Sequence, residues 1–246
     1  MSIRSMTVLT LPSQCEGTVQ QPCADTCVWI RKGCYVRVDS PDAFTTIWDS
    51  WATVAQARLL AVCVGAKRQA VLVGNSALVA RSIPLWEANP DVVAWFGVRH
   101  GKRRLPPVKT KAATVPPVYV YATTRPSENA LEIIDGLRCE SVIDAVVRMA
   151  CHSEALSAFV AACMVLRHES GFSKFAQDEA RCLAEMTKDK MKARLIERRR
   201  SATCIPYKRA ERIIDAADPG CENPAEAALL WVLKSVSAFE VVTQFE

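Results

Sequence analysis

Apolar positions recur with a period near two in the first half of this chain and near 3.6 in the second. That change predicts where strands give way to helices. In "VWIRKGCYVRV" (28–38), apolar and polar residues alternate on both sides of Lys32-Gly33, which predicts two short strands and a turn. "DAFTTIWDSWATVAQARLLAVCVG" (42–65) follows a Ser-Pro pair, and its Phe44, Ile47, Trp48, Trp51, Val54 and Ala55 share one helical face. "QAVLVG" (69–74) predicts a strand and "NSALVARSI" (75–83) a short helix capped by Asn75. "DVVAWFGV" (91–98) and "PVYVYATT" (117–124) read as strands. "RHGKRRLPPVKTKAATVPP" between them, with its two Pro-Pro pairs, reads as extended and mobile.

After Arg138 the spacing is helical. Val142, Ile143, Val146, Val147 and Ala150 share a face, as do Leu156, Phe159, Val160, Cys163 and Leu166, with Ser153 as the expected N-cap of the second helix. Residues 173–200 predict one or two further helices. In "PYKRAERIIDAAD" (206–218) Ala210, Ile213, Ile214 and Ala217 point inward and Lys208, Arg209 and Arg212 outward. The expected fold class is α+β: an N-terminal mixed part with a small sheet, then a helical domain. Its parts are an irregular segment at 1–27, an α+β domain at 28–138, a helical domain at 139–217 and a further region at 218–246.

With 246 residues, half of them apolar, the chain has enough material for a sizeable core. The longest nearly apolar stretch, Ala155–Leu166, is too short to span a bilayer, so no membrane partner is expected. Eleven Cys without an apolar leader segment read as reduced thiols in the cytoplasm.

Charge changes the picture further. The net charge is +5, yet between Lys188 and Arg212 ten Lys/Arg stand against three acids. Pairing within the segment leaves most of these cations unmatched. Lys188, Lys190, Lys192, Arg194, Arg198, Arg199, Arg200, Lys208, Arg209 and Arg212 are therefore the candidate phosphate contacts to double-stranded DNA, sequence-blind and salt-dependent. The alternatives are an acidic protein partner and a solvated helix face in which Glu197 sits near Arg194 and Arg200.

Other chemistry is sparse. Cys15, Cys23, Cys27 and Cys34 lack the paired C-x2-C spacing of a zinc site, and no metal is expected there. His100, His152 and His168 are scattered, so no catalytic residues are assigned. No glycine-rich phosphate loop occurs, and no cofactor is expected. Glu226 has two readings. Asn223, Pro224 and Glu226 form a capping-box arrangement, in which Glu226 reaches back to a backbone N–H. Glu226 also lies on the face of Leu230 and Leu233, where a nuclease-like acidic position could stand, although a divalent ion needs a second carboxylate.

The order of pieces resembles a known family. "VWIRKGCYVRV" resembles the wing segment of actinobacterial AbiEi-type antitoxin and transcriptional-regulator proteins. "AVLVGNSALVARSIPLW" is similar to their buried strand and short helix. "GLRCESVIDAVVRMACHSEALSAFVAACMVLR" resembles their helical pair, with Ser141 and Asp144 at two matching polar positions. "RIIDAADPGCENPAEAALLWVLKSVSAFEVVTQ" is similar to the linker that opens, in many relatives, a very-short-patch-repair-like endonuclease domain. The resemblance implies that Glu226 matches the first acidic position of that domain, Gln244 ends its first strand, and the chain is either a relative shortened at both ends or a fragment of a longer protein. The expected function is that of a DNA-associated regulator or antitoxin-like protein without catalysis of its own, whose partner is a cognate nucleotidyltransferase-like toxin. The alternatives are a nuclease-related protein with an incomplete metal site and a structural remnant.

Overall fold

A computed structural model of the chain describes residues 3–10, 27–40, 42–66, 70–98, 101–201, 205–236 and 243. The fold is α+β, and among the described residues there are eleven strands and seven α-helices. The chain divides into two compact units. The first comprises Met1–Ser82 and Ala88–Glu140, the second Ile83–Glu87 and Ser141–Glu246.

The first unit opens with β1 (Met6–Thr10), which lies inside the segment expected to be irregular. This corrects that expectation for part of residues 1–27. β1 is only five residues long and pairs antiparallel with β3 (Cys34–Val38), Met6 facing Val38 and Val8 facing Val36. β2 (Cys27–Arg31) flanks β3 on its other side, so the order is β1-β3-β2. Lys32-Gly33 makes the expected corner, with Gly33 at φ 72°, a region that glycine occupies without steric cost.

Helix α1 (Ile47–Val64) packs on this small sheet through Val54, Ala57 and Ala61, which meet Val28, Ile30, Val36 and Val38. Its start is fixed by Thr46, whose side chain accepts from the Asp49 N–H while Asp49 accepts from the Thr46 N–H. The expected apolar face is corrected at its first turn. Ile47 is 53% and Trp48 71% exposed, and Ser50, Thr53 and Arg58 are buried instead. Trp48 meets the edge of the Trp51 ring, 6.3 Å between centroids, and it is Trp51 that is partly buried against the core.

The second sheet has the order β10-β11-β4-β5-β9-β6. Its strands are β4 (Val71–Leu72), β5 (Val92–Trp95), β6 (Arg103–Leu105), β9 (Val118–Ala122), β10 (Leu131–Ile134) and β11 (Leu137–Glu140). The pairs β11–β4 and β5–β9 are parallel and the others antiparallel. The β10–β11 hairpin turns on Asp135 (φ 50°) and Gly136 (φ 82°), the positive-φ pair that a two-residue turn between twisted strands requires. Helix α2 (Asn75–Ala80) follows β4, but its N-cap is Gly74 at φ 53°, not Asn75. Asn75 instead donates to the Asp91 carbonyl, which ties the turn to β5.

The proline-rich stretch is extended as expected, but it is held rather than free. β7 (Val108–Lys109) and β8 (Thr114–Val115) pair as a small hairpin. Buried Arg58 donates to the Pro106 carbonyl at 2.9 Å, the Pro116 carbonyl at 2.8 Å and Asn89 Oδ1 at 2.6 Å. The prolines place their carbonyls without a competing N–H, and the guanidinium collects them from both sides of the loop. Burial lowers the Arg58 pKa to about 10, with Asp91 opposing the shift.

The second unit is built of α3 (Val142–His152), α4 (Ala155–Ser170), α5 (Gln177–Ser201), α6 (Tyr207–Ala216) and α7 (Pro224–Val236). Every residue from Ala158 to Leu166 is buried, so α4 is the central helix, with α3, α5, α6 and α7 against it. Ser153 ends α3 and does not cap α4, whose N-cap is Glu154 without a side-chain bond. Gly171 closes α4 in the left-handed conformation at φ 59°. The stretch expected to hold one or two helices forms a single one, α5. The helix expected to open a further region, α7, packs on α4 within this unit, its Trp231 ring 5.0 Å from Phe159. No helix among the described residues is long and apolar enough to cross a membrane.

Two substitutions separate these roles. Arg58→Ala leaves the Pro106 carbonyl and Asn89 Oδ1 without their donor inside the first unit, the Pro116 carbonyl keeping only the Asn89 amide, and urea denaturation should show a loss of about 3 kcal/mol. Trp48→Ser, despite removing the larger apolar side chain, should stay within about 0.5 kcal/mol because the ring is already solvated.

Candidate nucleic-acid interface

All ten candidate phosphate contacts lie on α5 and α6. Helix α5 buries Ala180, Ala184, Met191 and Leu195, an i, i+4 stripe facing its neighbours. Cations beside such a stripe extend their apolar stems over the core and carry the charge to whatever acceptor lies at its border. On the border towards α6, Lys188 is itself buried; its Nζ donates to Glu185 at 2.7 Å and reaches the Asp215 carbonyl at 3.4 Å. Lys192 pairs with the Asp215 carboxylate at 2.5 Å, and that bond holds the ammonium pKa above its ordinary value.

On the border towards α3 lies Asp144, only 3% exposed. Ser141 caps α3 by accepting from the Asp144 N–H at 3.1 Å, and its hydroxyl donates to Asp144 Oδ2 at 2.8 Å. Arg194 Nη2 reaches both Asp144 oxygens at 3.0 Å, and Nε adds a third bond at 3.2 Å. Arg198 Nη2 stands 3.7 Å from Oδ1. Asp144, with Glu197 as a second partner, raises the Arg194 pKa. The fork of a guanidinium on a carboxylate is the strong form of this contact. Arg209 donates to the Ser153 carbonyl at the end of α3.

Five of the ten are left outward. Lys190, Arg199, Arg200, Lys208 and Arg212 are exposed. Arg199 lies over the Tyr207 ring, 4.8 Å from its centroid, which joins the end of α5 to the start of α6. Lys208 and Arg212 follow one turn apart on α6, with Arg212 Nε donating to the Lys208 carbonyl. The nearby acids are engaged elsewhere: Glu197 with Arg194, Asp215 with Lys192, and Glu211 with the Tyr207 hydroxyl. Counting charges within one segment misses Asp144, Glu185 and Asp215 as partners, because no periodicity within α5 announces which acid a neighbouring turn or helix will bring to it.

Glu226 serves its helix start. One oxygen accepts from the Glu222 N–H at 2.7 Å and the other from the Asn223 side chain at 2.9 Å, while Asn223 accepts from the N–H groups of Ala225 and Glu226. Gln244 lies outside the described residues. Of the cysteines weighed for zinc, Cys15 and Cys23 also lie outside them; Cys27 and Cys34 sit in the β2–β3 hairpin. Among the described residues no three His, Cys, Asp or Glu cluster closely enough to hold a metal ion. Eight described thiols are free: Cys27, Cys34, Cys63, Cys139, Cys151, Cys163, Cys182 and Cys221. Burial pushes Cys63 up to about 12 and Cys139 to about 11, and it raises Cys163 beside Cys221 as well.

Neither a protein-family model, nor a curated protein, nor a solved structure matches this chain.

Loss of the Asp144 partner should be costly. Arg194→Gln should lower stability by about 3 kcal/mol, by leaving a buried carboxylate with only the Ser141 hydroxyl and the more distant Arg198, whereas Arg200→Gln should change it by less than about 0.5 kcal/mol. Paired denaturation curves measure both. Native-state alkylation at mildly alkaline pH, read by peptide mass spectrometry, should label exposed Cys182 well before Cys139, Cys163 and Cys221, which burial shields.

Proposed function

We propose that this protein associates with double-stranded DNA as a regulator or antitoxin-like protein, without catalysis of its own. The observation that carries the reading is the cluster of Arg199, Arg200, Lys208 and Arg212 where α5 meets α6. Of the neighbouring acids, Asp215 is paired with Lys192 and Glu197 with Arg194, while Glu211 accepts from the Tyr207 hydroxyl and keeps its charge. A cationic corner of this kind suits the phosphate backbone, which it engages through released counterions and without reading sequence.

The antitoxin form of the reading adds a protein partner of the nucleotidyltransferase-like toxin class. Helix α7 offers such a partner Leu229, Val232, Leu233 and Val236, all exposed. The free thiols support a reducing, cytoplasmic setting. The nuclease-related alternative draws no support from Glu226, because both of its oxygens are occupied at the helix start.

Binding to a random duplex should weaken linearly on a log–log plot against salt, with a slope of about −0.9 per phosphate neutralised. Arg199→Gln with Arg200→Gln should make that slope shallower by roughly two units while the melting temperature holds. An unchanged slope in a folded double variant removes this corner from the interface. Arg198 does not belong in that test, since its side chain is tied to Asp144.

A further inference from the structure

The first unit carries a second cationic surface of different make. From Trp95 to Arg125 the sequence has seven Lys/Arg and no acid. The sheet turns this stretch into an edge and a face. β6 is the last strand of the order and pairs with β9, Arg104 opposite Tyr119 and Arg103 opposite Val120. β9 in turn pairs with β5, Val93 beside Tyr121. Paired residues share a face, and faces alternate along each strand. Val92, Ala94, Val118 and Val120 therefore face the core and are buried. Trp95, Tyr119, Tyr121 and Arg104 share the opposite face, where Tyr119 and Arg104 are exposed and Trp95 and Tyr121 half-buried.

The side chains on this face are already arranged as rings beside cations. Tyr119 and Tyr121 lie 6.1 Å apart, ring to ring. Lys102 Nζ stands 3.8 Å from the Tyr119 centroid and 4.9 Å from that of Tyr121. Arg125 lies over Trp95 at 5.4 Å. Two acids border the face: Asp91 accepts from the Tyr119 N–H at 2.6 Å, and Glu128 pairs with Arg125. Among the described residues no carboxylate is bonded to Lys102 or Arg104. Arg103 faces a cavity of about 110 Å³ behind the edge, which Arg31 and Phe96 also line. A Cβ at Gly65 would collide with the Arg31 guanidinium, so the glycine makes room for that charge beside the cavity.

We infer that this face binds single-stranded DNA: Lys102 leaves the ring faces of Tyr119 and Tyr121 for a phosphate, bases stack on the faces it vacates, and Arg104 takes a second phosphate along the β6 edge. A row of rings reads what every unpaired base offers, a flat π surface, and a row of cations beside it reads the backbone. A duplex keeps its bases stacked on each other and satisfies only the second half of that arrangement. The occupant is the deoxy strand: rings and cations meet the base and the phosphate, and none of the named contacts calls for a 2′-hydroxyl. This face shares no residue with the α5–α6 corner proposed for a duplex, and a different probe reports on it.

Fluorescence anisotropy of the full chain with a labelled oligothymidylate of about 15 nucleotides tests it, the comparison with duplex being made on the Arg199→Gln, Arg200→Gln form so that the duplex corner does not contribute. The expected result is binding at least about tenfold tighter than to a duplex of equal length, with a salt slope near −0.7 per phosphate. Tyr119→Ala should lose roughly tenfold in affinity with the slope unchanged, and Tyr119→Phe should retain it, since stacking needs the ring and not the hydroxyl. Lys102→Gln with Arg104→Gln should make the slope shallower by about 1.4, because two phosphates then keep their counterions. If Tyr119→Ala disturbs the fold, Tyr119→Leu, which keeps apolar volume without a ring, decides in its place. Equal affinity for duplex and single strand, or a ring-less variant within about twofold of the wild type, overturns the inference. So does an oligouridylate that binds more than about tenfold tighter than the deoxy strand.

Discussion

The carboxylate of Asp144 governs the helical unit's surface more than any exposed residue does. A charge buried between two helices is tolerated only when it is paired and hydrogen-bonded. Ser141 supplies the hydroxyl, Arg194 the guanidinium fork and Arg198 a further charge. The same residues thus begin α3, fix α5 against it and withdraw two of the cations that the sequence places on α5. Lys188 and Lys192 are withdrawn on the other flank by Glu185 and Asp215. What stays exposed near the α5–α6 junction is Arg199, Arg200 and the two outward cations of α6.

Helical faces are legible in the sequence where the apolar spacing is regular and the helix lies against others along its whole length. Val146, Val147 and Ala150 of α3 and Ala210, Ile213, Ile214 and Ala217 at α6 are all buried as their spacing predicts. The Asn223–Glu226 cap is legible too, because capping is a contact between near neighbours in sequence. In α1 the same spacing rule misplaces Ile47 and Trp48: periodicity gives a face but not the distance to which a neighbour covers it. Asn75 likewise has the chemistry of a cap, yet the turn out of β4 requires a positive φ one residue earlier, at Gly74. "LEIIDGLRCE" carries a strong local hairpin signal in Asp135-Gly136, whereas the change to helical spacing sets the domain border at Arg138, inside β11.

Local charge counting fails for a related reason. Two stretches have the same excess: residues 188–212, with ten Lys/Arg and three acids, and residues 95–125, with seven and none. On a helix the side chains radiate around the axis, so a cation flanking the buried stripe meets the neighbouring helix and any acid on it. On an edge strand the side chains alternate between two faces, and among the described residues no further strand stands beyond β6 to supply an acid. The helical stretch therefore spends much of its charge on holding α3, α5 and α6 together, and five of its ten cations remain outward. At β6, Arg103, Arg104 and the preceding Lys102 are all exposed. Equal excess in sequence thus yields unequal surfaces: a corner of outward cations where α5 meets α6, and a short edge strand whose exposed cations stand beside tyrosines.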